Sequence, residues 1–142
     1  MPVLFMLLLG IVDYGLWFNE SLNVRQGVRE SARSAVVLRS FTGCSSPITN
    51  MGDIACGTRS QILTSGVAYA KVFAPAGWVR GQRVVVCGMV KADSFTGFVP
   101  LPVGGLIKSK TMMSIEMVTP MPSAVDHADA LPAGGDWSWC TA

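Results

Sequence analysis

Residues 3–42 contain no proline, and a glycine, Gly43, stands where a helix begun at Pro2 would stop. One long helix is predicted. At 1.5 Å per residue its roughly 40 residues would reach about 60 Å, twice the hydrocarbon thickness of a bilayer, so its two ends must lie in different surroundings. The first part reads MPVLFMLLLGIVDYGLWF and carries a single charge, Asp13. The predicted organisation is a membrane-anchor half over residues 1–18 and a protruding half of the same helix over residues 19–42. A globular domain over residues 43–142, with an irregular C-terminal tail, follows.

Asp13 is the difficulty. The uncharged run ends at Val12, about 18 Å from its start at helical rise, short of a hydrocarbon core of about 30 Å. Extension to Phe18 nearly supplies the length but puts Asp13 in the hydrocarbon or at its edge, where a charge costs about 2.5 to 3.5 kcal/mol at mid-membrane. Two readings stand. Asp13 marks the water-facing end of the anchor, with Tyr14, Trp17 and Phe18 as an aromatic belt; or it pairs with a basic group of an adjacent subunit, with Gly10 and Gly15 letting a second helix approach closely.

The second half of the helix carries two patterns. Trp17, Ser21, Val24, Val28, Ser31, Ala35 and Leu38 recur at steps of four and three, a seam for packing on something else and a candidate subunit interface. Arg25, Arg29 and Arg33 share another face at i, i+4, i+8. That row is either a solvated face with Glu30 as local partner, or a contact with lipid headgroups or the acidic face of a neighbouring subunit.

Composition narrows the function classes. Charged residues make up 14% of the chain, against about 25% in ordinary soluble domains, which points to membrane or protein partners. A net charge of +2 is too small and too scattered for nucleic acid. Cys44, Cys56, Cys87 and Cys140 form no CxxC pair, and His127 does not complete a tetrahedral zinc site, so no metal is expected. An even cysteine count fits two disulfides in an oxidising compartment. The favoured pairing joins Cys44 to Cys56, closing a loop rich in Ser, Pro, Thr, Asn and Gly, and Cys87 to Cys140, stapling the tail to a strand. The arginines after the apolar run, with none before it, would instead hold the following domain in the cytoplasm. A precursor that begins before Met1, with a longer apolar stretch led by basic residues, would reconcile the two. The expected location is the cell membrane, single-pass, with the C-terminal domain outside the cytoplasm, or an extracellular pilus-like fibre.

Further along, GTRSQILTSGVAYAKVFAP reads as a second helix that stops at Pro75, with Thr58 as its cap. QRVVVCGMVKA is the best strand, FVPLPVGGL a loop, and KTMMSIEMV a second strand. From Thr119 onward an irregular tail is expected. In it His127 stands between Asp126 and Asp129 without a second histidine, which fits a solvated loop better than an acid–base site. Trp137, Ser138, Trp139 and Cys140 form either an exposed binding patch or a hydrophobic flap pinned by its cysteine. No GxSxG, phosphate-cradling loop or paired-carboxylate pattern occurs, so no enzyme activity, cofactor or small-molecule substrate is expected.

The N-terminal stretch PVLFMLLLGIVDYGLWFNESLNVRQGVRESARSAVV resembles the start of TadE-like proteins, minor pilin-like components of the Tad (Flp) pilus machinery. Three elements carry the resemblance: the apolar stretch from Pro2 to Leu9, the GIVDYG element from Gly10 to Gly15, and the RESAR element Arg29, Glu30, Ser31, Ala32, Arg33. The family's basic leader, processing site and early glutamate do not precede them. The resemblance implies an α+β, pilin-like fold: a long N-terminal helix, then a small disulfide-stapled domain with a second helix and a few antiparallel strands. It further implies a structural role as a minor pilin or pseudopilin in pilus biogenesis, priming or tip assembly. Other pilin-like subunits, met through the N-terminal helix, and membrane lipid would be the partners. The alternative is a single-pass, membrane-anchored extracytoplasmic binding protein unrelated to pili, whose Trp-rich tail meets a ligand.

Overall fold

The computed structural model describes residues 2–64, 66–97, 100–119, 122 and 126–142. Met1 of the predicted anchor, Ser65 of the predicted second helix, Phe98 and Val99 of the predicted loop, and residues 120, 121 and 123–125 of the predicted tail lie outside the described residues. In chain order the elements are α1 (Pro2–Val36), α2 (Met51–Gln61), β1 (Ala68–Phe73), β2 (Arg83–Lys91), a 3-10 turn (Pro102–Gly105), β3 (Leu106–Ser114) and β4 (Asp126–Ala128). The strands form one antiparallel sheet in the order β3-β2-β1-β4. The architecture is α+β and pilin-like, a long N-terminal helix leading into a helix-covered sheet.

α1 stops at Val36, not near Thr42 as predicted. Leu38 takes a left-handed φ of 51°. Its N–H donates to Ala35 O at 2.9 Å and the Arg39 N–H donates to Ser34 O at 2.9 Å, the paired bonds of a Schellman stop. Leu38 is thus a helix terminator and does not continue the seam. The N–H groups of Glu116 and Met117 then satisfy the Val36 carbonyl at 3.1 and 3.0 Å.

The predicted second helix is two elements. α2 begins upstream at a capping box, with the Asp53 N–H donating to Asn50 Oδ1 at 3.0 Å and the Asn50 N–H to Asp53 Oδ2 at 3.1 Å. Thr58 lies inside the helix and its hydroxyl donates to Ile54 O at 2.9 Å, so it is no cap. Residues 68–73 leave the helix and become β1, in which Ala70 and Val72 point to the core at strand period. The predicted second strand begins earlier, at Leu106, and the tail contributes the short strand β4, paired Val72 to His127.

β2 is buried from Val84 to Val90 because both of its faces are covered. One face meets α1 and α2, through Val24, Val28, Ala32, Ala35, Met51 and Ile54. At Gly88 an added Cβ would lie 2.5 Å from the Val28 methyl, so the glycine lets α1 settle onto the sheet. The other face carries Val85 and Cys87, covered by Cys140, Trp137 and Trp139. The disulfides are Cys44–Cys56 and Cys87–Cys140, the pairing the loop composition favours. The tryptophan cluster is accordingly a flap on the chain's own sheet.

Candidate membrane anchor and assembly helix

The first half of α1 extends from the globule with Val3, Leu4, Phe5, Met6, Leu7 and Leu8 all exposed, and Ile11, Tyr14, Leu16 and Phe18 exposed after them. The helix is long and apolar enough to cross a membrane, and it fits a single-pass anchor. Among these exposed side chains Asp13 is the exception, at 2%.

A turn far along the chain covers it. Phe95 N–H and Thr96 N–H donate to Asp13 Oδ1 at 3.0 and 3.1 Å, while Ser94 Oγ donates to Oδ2 at 2.9 Å and Thr96 Oγ1 donates to the same oxygen. Four donors on two oxygens form a complete shell for a carboxylate. Asp13 is therefore satisfied within the chain, and neither a partner's basic group nor bulk water is needed to hold it. Nothing in the sequence near Asp13 signals this, since its donors lie more than eighty residues away.

The family model described as TadE-like protein matches residues 1–33. No curated protein and no solved structure matches the chain. The TadE-like match covers the anchor and the first turns of the core helix, and it supports a Tad pilus-associated protein that interacts with other pilus components.

Within the TadE-like segment and just beyond it, the seam turns inward. Val24, Val28, Ser31 and Ala35 have no exposed surface, and Ser21 is buried. Ser31 Oγ lies 3.1 Å from Val28 O and 3.0 Å from Thr58 Oγ1 of α2. These residues pack on the chain's own sheet and on α2, which corrects their reading as a subunit interface: the apolar period found its partner in cis. Likewise α1 beyond residue 19 is the globule's core helix and not a free stalk. Trp17 is partly buried against that core and stacks at a tilt on Tyr14, with ring centroids 5.7 Å apart.

Below the seam, one apolar flank of the same helix stays open. Leu7, Gly10, Ile11, Tyr14, Gly15 and Phe18 line a shallow apolar groove of about 790 Å³. A Cβ at Gly15 would meet nothing within 4 Å, so no contact inside the chain requires that glycine. Farther up, Arg25, Arg29 and Arg33 are exposed.

The remaining polar cluster is structural. Asp129 accepts from Arg59 of α2 and, at 2.8 Å, from the Ala70 N–H of β1. His127 Nε2 lies 3.2 Å from the same carboxylate. Burial alone would raise Asp129, but the Arg59 guanidinium, the Ala70 N–H and His127 together hold its carboxyl below the ordinary range. His127 therefore sits on β4 beside this tie, and not in the solvated loop expected from sequence. Among the described residues no group of three or more His, Cys, Asp or Glu could hold a metal ion.

Proposed function

We propose that this chain is a minor pilin or pseudopilin of a Tad-type pilus, held in the membrane by residues 1–18 and acting in pilus biogenesis, priming or tip assembly. The domain from residue 43 onward lies outside the cytoplasm. The observation that carries the reading is the division of labour along α1: residues 21–36 bury one stripe in the globule's core, and below them an apolar flank around Gly10 and Gly15 is exposed and unused. A helix needs such a notch to pack on another in lipid, where small residues let backbones approach and van der Waals contact drives association. The arginine row above the notch faces lipid headgroups or the acidic face of the neighbouring subunit. The Trp-rich tail packs on β2 as a flap with Trp137 and Trp139 partly buried, which favours the pilin reading over a ligand-binding tail.

Gly15→Leu tests the proposal, because the added side chain enters open space and leaves the fold intact. Pilus assembly should be lost while the protein still accumulates in the membrane with both disulfides formed. Normal piliation in that variant would overturn the assigned face.

A further inference from the structure

The apolar exposure of the globule gathers at one end. Among the described residues outside α1, the most exposed large apolar side chains are Phe95 at 80%, Val103 at 73%, Leu63 at 72% and Val67 at 65%. Val67 directly precedes β1, whose Ala68 pairs with Val90 near the end of β2, and the loop over residues 92–105 joins that end of β2 to the start of β3. Phe95 lines one cavity of about 730 Å³ beside Leu16 and Trp17, whose upper wall is polar, with Asn19, Glu20 and Asn23. Val79, Met112 and Met117, toward the other end of the sheet, are only 53%, 43% and 45% exposed.

That apolar end faces the anchor, and its height along α1 is fixed. Residues 94–96 are tied to Asp13, yet the exposed apolar surface of α1 runs on past Asp13 to Leu16 and Phe18, about 4 and 8 Å farther along the axis. Lipid that covers the helix through Phe18 must therefore reach the loop as well. The loop is built for such a place. Its Ser94, Phe95 and Thr96 donors end on Asp13, and the Gly97 N–H donates to Ser94 Oγ at 2.8 Å, so these donors of residues 94–97 are paired before water is lost. Its neck is closed by the Ala92 N–H donating to Gly105 O at 2.9 Å. Gly105, at φ 78°, leaves no room for a side chain there: a Cβ would fall 2.1 Å from Ala92 O.

We propose that this end of the globule docks on the lipid bilayer, with Phe95, Val103 and Val67 inserted around α1 at the boundary of headgroups and acyl chains. Lys91 and Asp93, both exposed at the neck of the loop, stay at headgroup level. The globule thus lies on the membrane at several points and does not stand above it on a stalk. The proposal rests on the anchor reading of residues 1–18, and its test separates the two.

The full chain, with p-benzoylphenylalanine in place of Phe95, Leu8 or Val79 in turn, is reconstituted in phospholipid vesicles, irradiated and analysed for adducts by mass spectrometry. Phe95 is exposed, so the larger ring is accommodated. Lipid adducts are expected at positions 8 and 95 in comparable yield, with loss of adduct at 79. Adducts at 8 with none at 95, or an adduct from 95 to a second copy of the chain, would overturn the docking while leaving the anchor in place. Absence of lipid adduct at 8 would overturn the anchor reading and the docking with it.

Discussion

Asp13→Ala should loosen the loop over residues 92–105 without unfolding the sheet. In the native chain the Phe95 and Thr96 N–H groups both end on Asp13 Oδ1, at 3.0 and 3.1 Å. A hydrogen bond to a charged group contributes about 1.5 to 3 kcal/mol net, so removing both lowers the free energy of local opening by at least about 3 kcal/mol, an increase of about a hundredfold in the open population. Amide hydrogen exchange in detergent micelles reads that population directly. Protection at Phe95 and Thr96 should fall by about two orders of magnitude, while amides in the centre of β2 change little. Asp13→Asn should be milder, because both backbone bonds use one oxygen that asparagine retains; their charge assistance is lost, and the Ser94 and Thr96 hydroxyls meet an amide NH2 in place of Oδ2. Asp93→Ala, at an exposed position in the neck of the same loop, serves as the control. Protection at Phe95 and Thr96 that is unchanged in Asp13→Ala would refute the clamp. Equal loss of protection across the sheet would refute the claim that the clamp is local.

Two further outcomes follow from the cross-links and from the carboxylates of Asp53 and Asp129. Cys87→Ser with Cys140→Ser opens a loop of 53 residues and Cys44→Ser with Cys56→Ser one of 12; chain entropy alone makes the first loss about 4 kcal/mol and the second about 3. Urea midpoints by tryptophan fluorescence should rank them in that order, and the first pair should also expose Trp137 and Trp139 to collisional quenching. Asp53 is held below its ordinary value of 3.8: burial works to raise it, but the Thr49 N–H and hydroxyl and the Asn50 N–H outweigh burial. Asp129 is lowered as well. A depressed carboxylate stabilises the fold fully above its unfolded pKa and loses that contribution as pH falls through the folded one. Stability should therefore be flat near neutrality and fall below about pH 4, with a shallower acid slope in Asp129→Asn measured by denaturation at several pH values.

What the sequence allowed to be read, and what it did not, divides on how local the cause is. The long helix was legible because a proline-free run is a local fact; its end was not, because Leu38 adopts a left-handed φ of 51° that no residue type other than glycine or asparagine advertises. β2 was legible from Val84, Val85, Val86 and Val90. β1 was not, since AYAKVF continues an apparently helical pattern, and only pairing with β2 and β4 selects the strand. The true start of α2 was readable in Asn50 and Asp53, a cap and its return partner three residues apart, but the more apolar stretch downstream drew the helix forward. The seam on α1 reads as a face that packs on something else, and its cover is the chain's own sheet and α2. A period of four and three identifies a face to be covered, and carries no information on whether the cover belongs to the same chain.

The same limit governs Asp13, and explains why a charge is tolerable there. Alone in the anchor it would cost about 2.5 to 3.5 kcal/mol at mid-membrane, and the loop over residues 94–96, alone at the bilayer surface, would carry unpaired N–H groups costing about 1 to 3 kcal/mol each. Each liability removes the other. The carboxylate takes the four donors, the donors lose their need of water, and Phe95 is left with its ring outward beside the apolar helix. Loss of either partner alone exposes the other's cost, so Ser94→Ala with Thr96→Ala should weaken the clamp less than Asp13→Ala. Those two substitutions remove only hydroxyl donors, and leave the two backbone bonds on Asp13 Oδ1 in place.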